Sequence, residues 1–216
     1  MLASSHVRVD SPCEPASSPP PLWLCGLDFL PQKHLSREGA NMKTKLVALL
    51  FGLSISHVLA AEQMRLESAS LRNGGSVPRE QLANDCGGEN RSPALAWSSA
   101  PAGTKSFAIT FLDLDAPGGN FWHWVVFDLS PQVNQLPAGA STSLPASAKQ
   151  TLNDYGKMGY GGPCPPPGST HRYILTVYAL DVDHLPAATG AAPGQVAVLV
   201  VKHALAKATI TVRYGR

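Results

Sequence analysis

Residues 159–173 read GYGGPCPPPGSTHRY. Four glycines and four prolines surround one cysteine, Cys164. Glycine lets backbone approach closely and take positive φ, whereas proline fixes φ and removes an N–H donor. Such a mixture makes neither a helix nor a central strand. It makes a stiff loop, suited to wall a pocket. The chain then enters a run of strand formers, Tyr173, Ile174, Thr176, Val177 and Tyr178. Side chains alternate along a strand, so His171 and Tyr173 share a face. Taken alone, the pair also fits a surface or core histidine beside a packing tyrosine. What else the chain brings to that end decides between the readings.

Outward from this loop, residues 172–181 read as a strand, as do 106–112 and 122–129. Shorter strands are predicted at 63–69, 95–97 and 209–214. Residues 77–82 read as an irregular or one-turn piece, and 130–158 as a long surface excursion rich in turn formers. The spacing of Val196, Leu199, Val200 and His203 predicts the one solid helix, over 195–207. Short strands between Gly/Pro turns argue for an all-β fold, a Greek-key-like β-sandwich with one C-terminal helix and short peripheral helical turns.

Two motifs flank the predicted strands. Asp113-Leu114-Asp115-Ala116-Pro117 ends one of them. If that strand persists, Asp113 and Asp115 point the same way, as acceptors for a ligand or a neighbouring histidine. Asp residues capping a turn is the plainer alternative. Two carboxylates alone do not hold a metal, and EF-hand spacing is missing, so neither metal nor cofactor is expected. Trp122-His123-Trp124 begins the next strand, with His123 expected on the face of Val125 and Phe127, opposite both tryptophans. His123, His171, Tyr173 and the Asp pair could meet at one end of a sandwich. Asp side chains would orient each imidazole. Protonated imidazoles, a phenol and loop N–H groups would suit a phosphate or carboxylate. His184 and His203 read as solvated or packing residues, and Asp154-Tyr155 as a rim. Ser169-Thr170 beside His171 has no G-x-S-x-G elbow, so no catalytic residue is assigned.

The front of the chain is of another kind. Residues 1–41 are rich in Pro and Ser. Met42-Lys43-Thr44-Lys45, the apolar run 46–55 and Val58-Leu59-Ala60 have the anatomy of a secretory signal. The apolar run is short for a bilayer span. Such a signal works at a true N-terminus, so residues 1–41 read as spurious upstream translation or as a disordered extension. Residues 42–61 read as the signal and 62–216 as one domain, periplasmic or secreted. A terminus near Ala61 or Glu62 in the exported protein checks this reading; one at the first residue refutes it. The remainder keeps two cysteines, Cys86 and Cys164. In an oxidising compartment a pair is the default, with two free buried thiols as the alternative. The formal net charge of +2 comes with no basic surface for nucleic acid, no acidic tail and no amphipathic membrane helix.

DLDAP, WHW and GYGGPCPPPGSTHRY, in this order and at these separations, resemble the phosphatidylethanolamine-binding protein family. The likeness is to its bacterial, Raf-kinase-inhibitor-like branch. CGGENRSPALAW, residues 86–97, resembles that branch's early signature, and the resemblance covers nearly all of 62–216. It implies a β-sandwich with a small anion pocket at one end. Asp113, Asp115, His123, Gly162, Pro165, His171 and Tyr173 would line that pocket, with Pro117 and Trp122 in support. It also implies the disulfide Cys86–Cys164, which the branch often carries. Pro163 and Pro167 depart from the usual loop and imply a stiffer one. The expected ligand is a phosphate, a phosphorylated head group or a carboxylate. A kinase or protease partner is a further expectation, and membrane head groups and the oligomeric state stay open. The rival readings are a hydrolase using the same His/Asp pocket, which a turnover assay with phosphate and carboxylate esters would separate, and a protease inhibitor acting through an exposed loop.

Overall fold

A computed structural model describes residues 62–216. The expectations for an upstream extension and an export signal lie outside the described residues. The strands are β1 (Arg65–Glu67), β2 (Leu95–Ser98), β3 (Ser106–Asp113), β4 (Phe121–Leu129), β5 (Gln135–Leu136), β6 (Lys149–Gln150), β7 (Thr170–Leu180) and β8 (Ala204–Gly215). One helix, α1 (Pro193–Lys202), and short 3-10 turns at Arg79–Gln81, Asn84–Cys86 and Ala140–Thr142 complete the described elements. The strands form two antiparallel sheets, ordered β1-β2-β5 and β6-β4-β3-β7-β8. This is the expected all-β architecture with one helix and short helical turns.

β3 and β4 read as near-continuous apolar runs because both faces of the larger sheet are covered. On one face Phe107, Ile109, Phe111, Trp124, Val126 and Leu129 pack with Trp97 of β2 and Leu136 of β5. On the other, Ala108, Val125 and Phe127 pack with Val196 and Val200 of α1 and with Leu185. Each large side chain so buried stabilises by about 1.5–3 kcal/mol. The layers are therefore small sheet, large sheet, helix, and the large sheet's strand ends are fixed from both sides.

Three expectations are corrected. The helix stops at Lys202, and His203 is its C-cap, bonded through Nδ1 to Asp181 Oδ1 at 2.9 Å. From Ala204 the chain alternates, with Leu205, Lys207 and Thr209 exposed and the alanines between them turned inward. It pairs with β7 along the whole of that strand. A longer helix would have left the far end of β7 with unpaired backbone groups, which costs more than a few lost helical bonds. The opening strand is cut to β1. Ser68 ends it by donating to Ala94 O at 2.6 Å and accepting the Leu71 N–H at 3.2 Å. Finally, residues 130–158 are more than a surface excursion. They supply β5 and β6, one to each sheet, and bury Leu136, Ala140, Thr151 and Asn153.

Candidate functional site

β4, β3 and β7 lie side by side, and Asp113 pairs with Phe121 on one flank and with Tyr173 on the other. That register alone brings Asp113, His123 and His171 to one end of the sheet. A β-bulge then decides where His123 points. Phe111 pairs with Trp124, yet the next residue, Leu112, pairs with Trp122. His123 is the surplus residue between them. A bulge re-aims the side chains on either side of it. Trp122 therefore joins the helix-side cluster with Val125 and Phe127. The His123 ring turns the other way and lies against Phe111, Phe121, Tyr155 and Tyr173, at centroid distances of 5.6, 5.1, 5.6 and 5.3 Å. This reverses the expectation that His123 would share a face with Val125 and Phe127.

The bulged backbone is satisfied by the Gly/Pro loop. Gly161 donates its N–H to His123 O at 2.8 Å. In return, Gly161 O accepts from His123 Nδ1 at 2.6 Å. Burial is the largest influence on this ring. It pushes the pKa down from 6.5 to about 4, against the opposing pull of the Gly161 carbonyl and of the Asp113 and Asp154 charges.

His171 and Tyr173 do share a face of β7, with ring centroids 6.3 Å apart. Asp113 Oδ2 accepts from His171 Nδ1 at 2.7 Å, and both residues are buried. β3 ends at Asp113, whose Oδ1 accepts the Asp115 N–H at 2.8 Å to make a turn. Asp115 consequently leaves the face of Asp113. It takes the Arg172 backbone N–H, Nε and guanidinium N–H groups at 2.8, 2.8 and 2.6 Å. Those hydrogen bonds hold its carboxyl at about 2. The Tyr173 hydroxyl is buried without a hydrogen-bond partner among the described residues. Burial, with the Asp113 charge added, raises its pKa.

The loop is built as a wall. Cys164 is bonded to Cys86, with Cα atoms 5.5 Å apart, so the loop is pinned to the Asn84–Cys86 turn. Gly162 passes so close to that turn that a Cβ would come within 2.3 Å of Ala83 N and Gln81 O. Its N–H goes to Asn90 Oδ1 at 2.7 Å, and its carbonyl accepts from the Tyr155 hydroxyl at 3.1 Å. The glycine N–H groups expected to face a ligand are thus spent on the fold: Gly159 bonds Thr151 O, Gly161 bonds His123 O and Gly168 bonds Arg216 O.

Between wall and strand ends lies a cavity of about 120 Å³. That is about four water volumes, enough for a small oxyanion. Asp113, Pro117, His123, Pro165 and His171 line it, together with Ala116, Phe121, Tyr155, Cys164 and Pro166. Asp115, Gly162 and Tyr173, expected in the pocket, are not among the residues that line it. Phe121 and Pro166 escaped the sequence reading, although Phe121 directly precedes the WHW motif. Tyr155, read as rim, closes one side, and burial pushes its hydroxyl up to about 12. A second hollow, about 180 Å³, shares Tyr155 and Cys164 with the first and adds Asn84, Asp85 and Lys157. A larger cavity, about 590 Å³, runs along β2 and β5 and gathers a single titratable group, Glu67, whereas the first gathers two imidazoles and a carboxylate. Among the described residues no group of three or more His, Cys, Asp or Glu could hold a metal ion.

Fold and pocket define an antiparallel sandwich with a small imidazole–carboxylate cavity at the end of its larger sheet. The family model described as phosphatidylethanolamine-binding protein matches residues 67–215. YbhB of Escherichia coli (strain K12) is 45% identical over 158 residues, covering 70% of this chain and 100% of YbhB. LppC of Mycobacterium tuberculosis, named as a lipoprotein, is 37% identical over 140 residues, covering 64% of each chain. The crystal structure of Escherichia coli YbcL, described as a member of the mammalian family of this kind, superposes with a TM-score of 0.69 at 36% identity. It covers 72% of this chain and 99% of YbcL. The chain belongs to the phosphatidylethanolamine-binding protein family.

Proposed function

We propose that residues 62–216 form an exported domain that binds a small phosphorylated or carboxylate anion between His123 and His171, and acts by binding rather than by turnover. The observation that carries this reading is the convergence of His123, His171 and the buried Asp113 on one small cavity. Family membership supports ligand binding in general. A tetrahedral oxyanion fits the cavity's volume of about 120 Å³. Among the described residues the two nearest candidate nucleophiles are engaged elsewhere: the Cys164 sulfur is committed to the disulfide, and the Ser169 hydroxyl bonds Pro166 O at 2.7 Å. Export is supported by the disulfide and by the lipoprotein relative. Modulation of a kinase or protease would follow from the same binding event and has no separate support.

Calorimetric titration with inorganic phosphate and with phosphoethanolamine tests the site. The full chain should bind, and His123→Ala and His171→Ala should each lose at least tenfold in affinity, about 1.4 kcal/mol. Circular dichroism of both variants should match that of the parent. Full affinity in either variant would remove the pocket from the reading.

A further inference from the structure

We infer that the pocket takes its anion together with one proton, held at Nε2 of His171. The inference rests on the anion-binding reading above and adds the charge state which that reading requires.

Hydrogen bonds fix both rings. Gly161 O is a carbonyl and can only accept, so His123 Nδ1 carries a hydrogen. Asp113 offers Oδ1 to the Asp115 N–H and Oδ2 to His171 Nδ1, so His171 Nδ1 carries one too. In a neutral imidazole the other nitrogen is then a bare lone pair. Only the Nδ1 atoms of the two rings make hydrogen bonds among the described residues, which leaves each Nε2 for the cavity. The two neutral imidazoles therefore show a ligand two acceptors, and a fully ionised oxyanion such as sulfate is itself all acceptor. The loop makes up little of the deficit: of the residues that line the cavity from it, Cys164 alone keeps an unspent N–H, and the unpartnered Tyr173 hydroxyl belongs to a residue outside the lining. The loop's glycine N–H groups are used, and Pro165 and Pro166 have none. The Tyr155 hydroxyl hydrogen goes to Gly162 O. One added proton turns an Nε2 into a charged donor.

The surroundings select the ring. The groups facing the two imidazoles are Asp113 from β3, Asp154 and Tyr155 from the segment after β6, and Tyr173 beside them on β7. Tyr214 of β8 pairs with His171, and the Asp115–Arg172 pair flanks it with balanced charge. Only Asp113 is a carboxylate in contact with a ring, and the ring it contacts is His171. A buried imidazolium there has its counter-charge at 2.7 Å. His123 has a neutral carbonyl partner within four aromatic rings, and burial holds its pKa near 4, so it stays neutral and offers Nε2 as an acceptor to a ligand O–H or N–H, such as hydrogen phosphate and phosphoethanolamine carry.

The test is titration of the full chain with phosphate and with sulfate, from about pH 5.5 to pH 8, in two buffers of different ionisation enthalpy. Sulfate brings no proton in this range, so any proton taken up on binding it comes from solvent to protein. Both anions are expected to bind with proton uptake, and sulfate affinity is expected to fall toward tenfold per pH unit at the alkaline end. Asp113→Asn keeps the shape and removes the counter-charge; it should weaken sulfate binding about tenfold near pH 6. Affinity independent of pH, with no proton exchanged, would overturn this inference and leave anion binding intact. Phosphate binding without sulfate binding would overturn it as well, because the proton would then ride on the ligand. Unchanged sulfate affinity in Asp113→Asn would remove His171 as the proton's seat. Failure of both anions to bind at the acid end would bring down the anion-binding reading itself.

Discussion

His123 is 2% exposed, and its ring is held neutral by burial. That makes it a stability determinant as well as a candidate ligand. Its folded pKa of about 4 lies below the 6.5 of an exposed imidazole. The unfolded chain therefore takes up the proton first as pH falls. The contribution is complete above 6.5 and is lost on the way down to about 4. A shift of this size corresponds to about 3 kcal/mol. Urea unfolding at about pH 7 and about pH 4.5 should show the parent losing a large part of that amount and His123→Leu losing less. An equal loss in both would place the acid sensitivity elsewhere. Asp115 does not compete in this window, since its carboxyl is held at about 2, so its contribution goes only below the ordinary 3.8.

At the scale of elements, the bulge in β4 separates the fold from the site. Removing Trp122 would close the ladder by pairing His123 with Leu112, on the helix side of the sheet. A deletion variant lacking Trp122 should keep a cooperative unfolding transition and lose anion binding by tenfold or more. Retained affinity would show that the bulge does not aim the ring. The same feature explains what the sequence could and could not disclose. Period-two alternation assigns faces only while pairing is unbroken. Along β7 it is unbroken near the site, so His171 and Tyr173 were legible as neighbours. In β4 one surplus residue reverses the pattern, and nothing in Phe121-Trp122-His123-Trp124 marks which residue is surplus. Asp115 was misplaced for a related reason, since the strand ends at Asp113 in a turn that the DxD spacing does not reveal. The join between α1 and β8 was hidden because Ala204, Ala206 and Ala208 fit a helix as readily as a strand, and only the need to pair β7 decides it.

For the whole molecule, the cystine is the tie between the pocket wall and the body of the domain. It joins residues 78 apart in sequence. A closed loop of that length stabilises by about 4 kcal/mol in the chain-entropy account. Cys86→Ser with Cys164→Ser, or the reduced parent, should lower the unfolding free energy by about that amount, read from denaturant midpoints. No change would mean that the loop's contacts to the Asn84–Cys86 turn hold without it. Cys164 also lines both hollows. The same residue thus belongs to the scaffold and to the cavity. Breaking its one bond to Cys86 would therefore be felt twice over, in the footing of the cavity wall and in the stability of the domain.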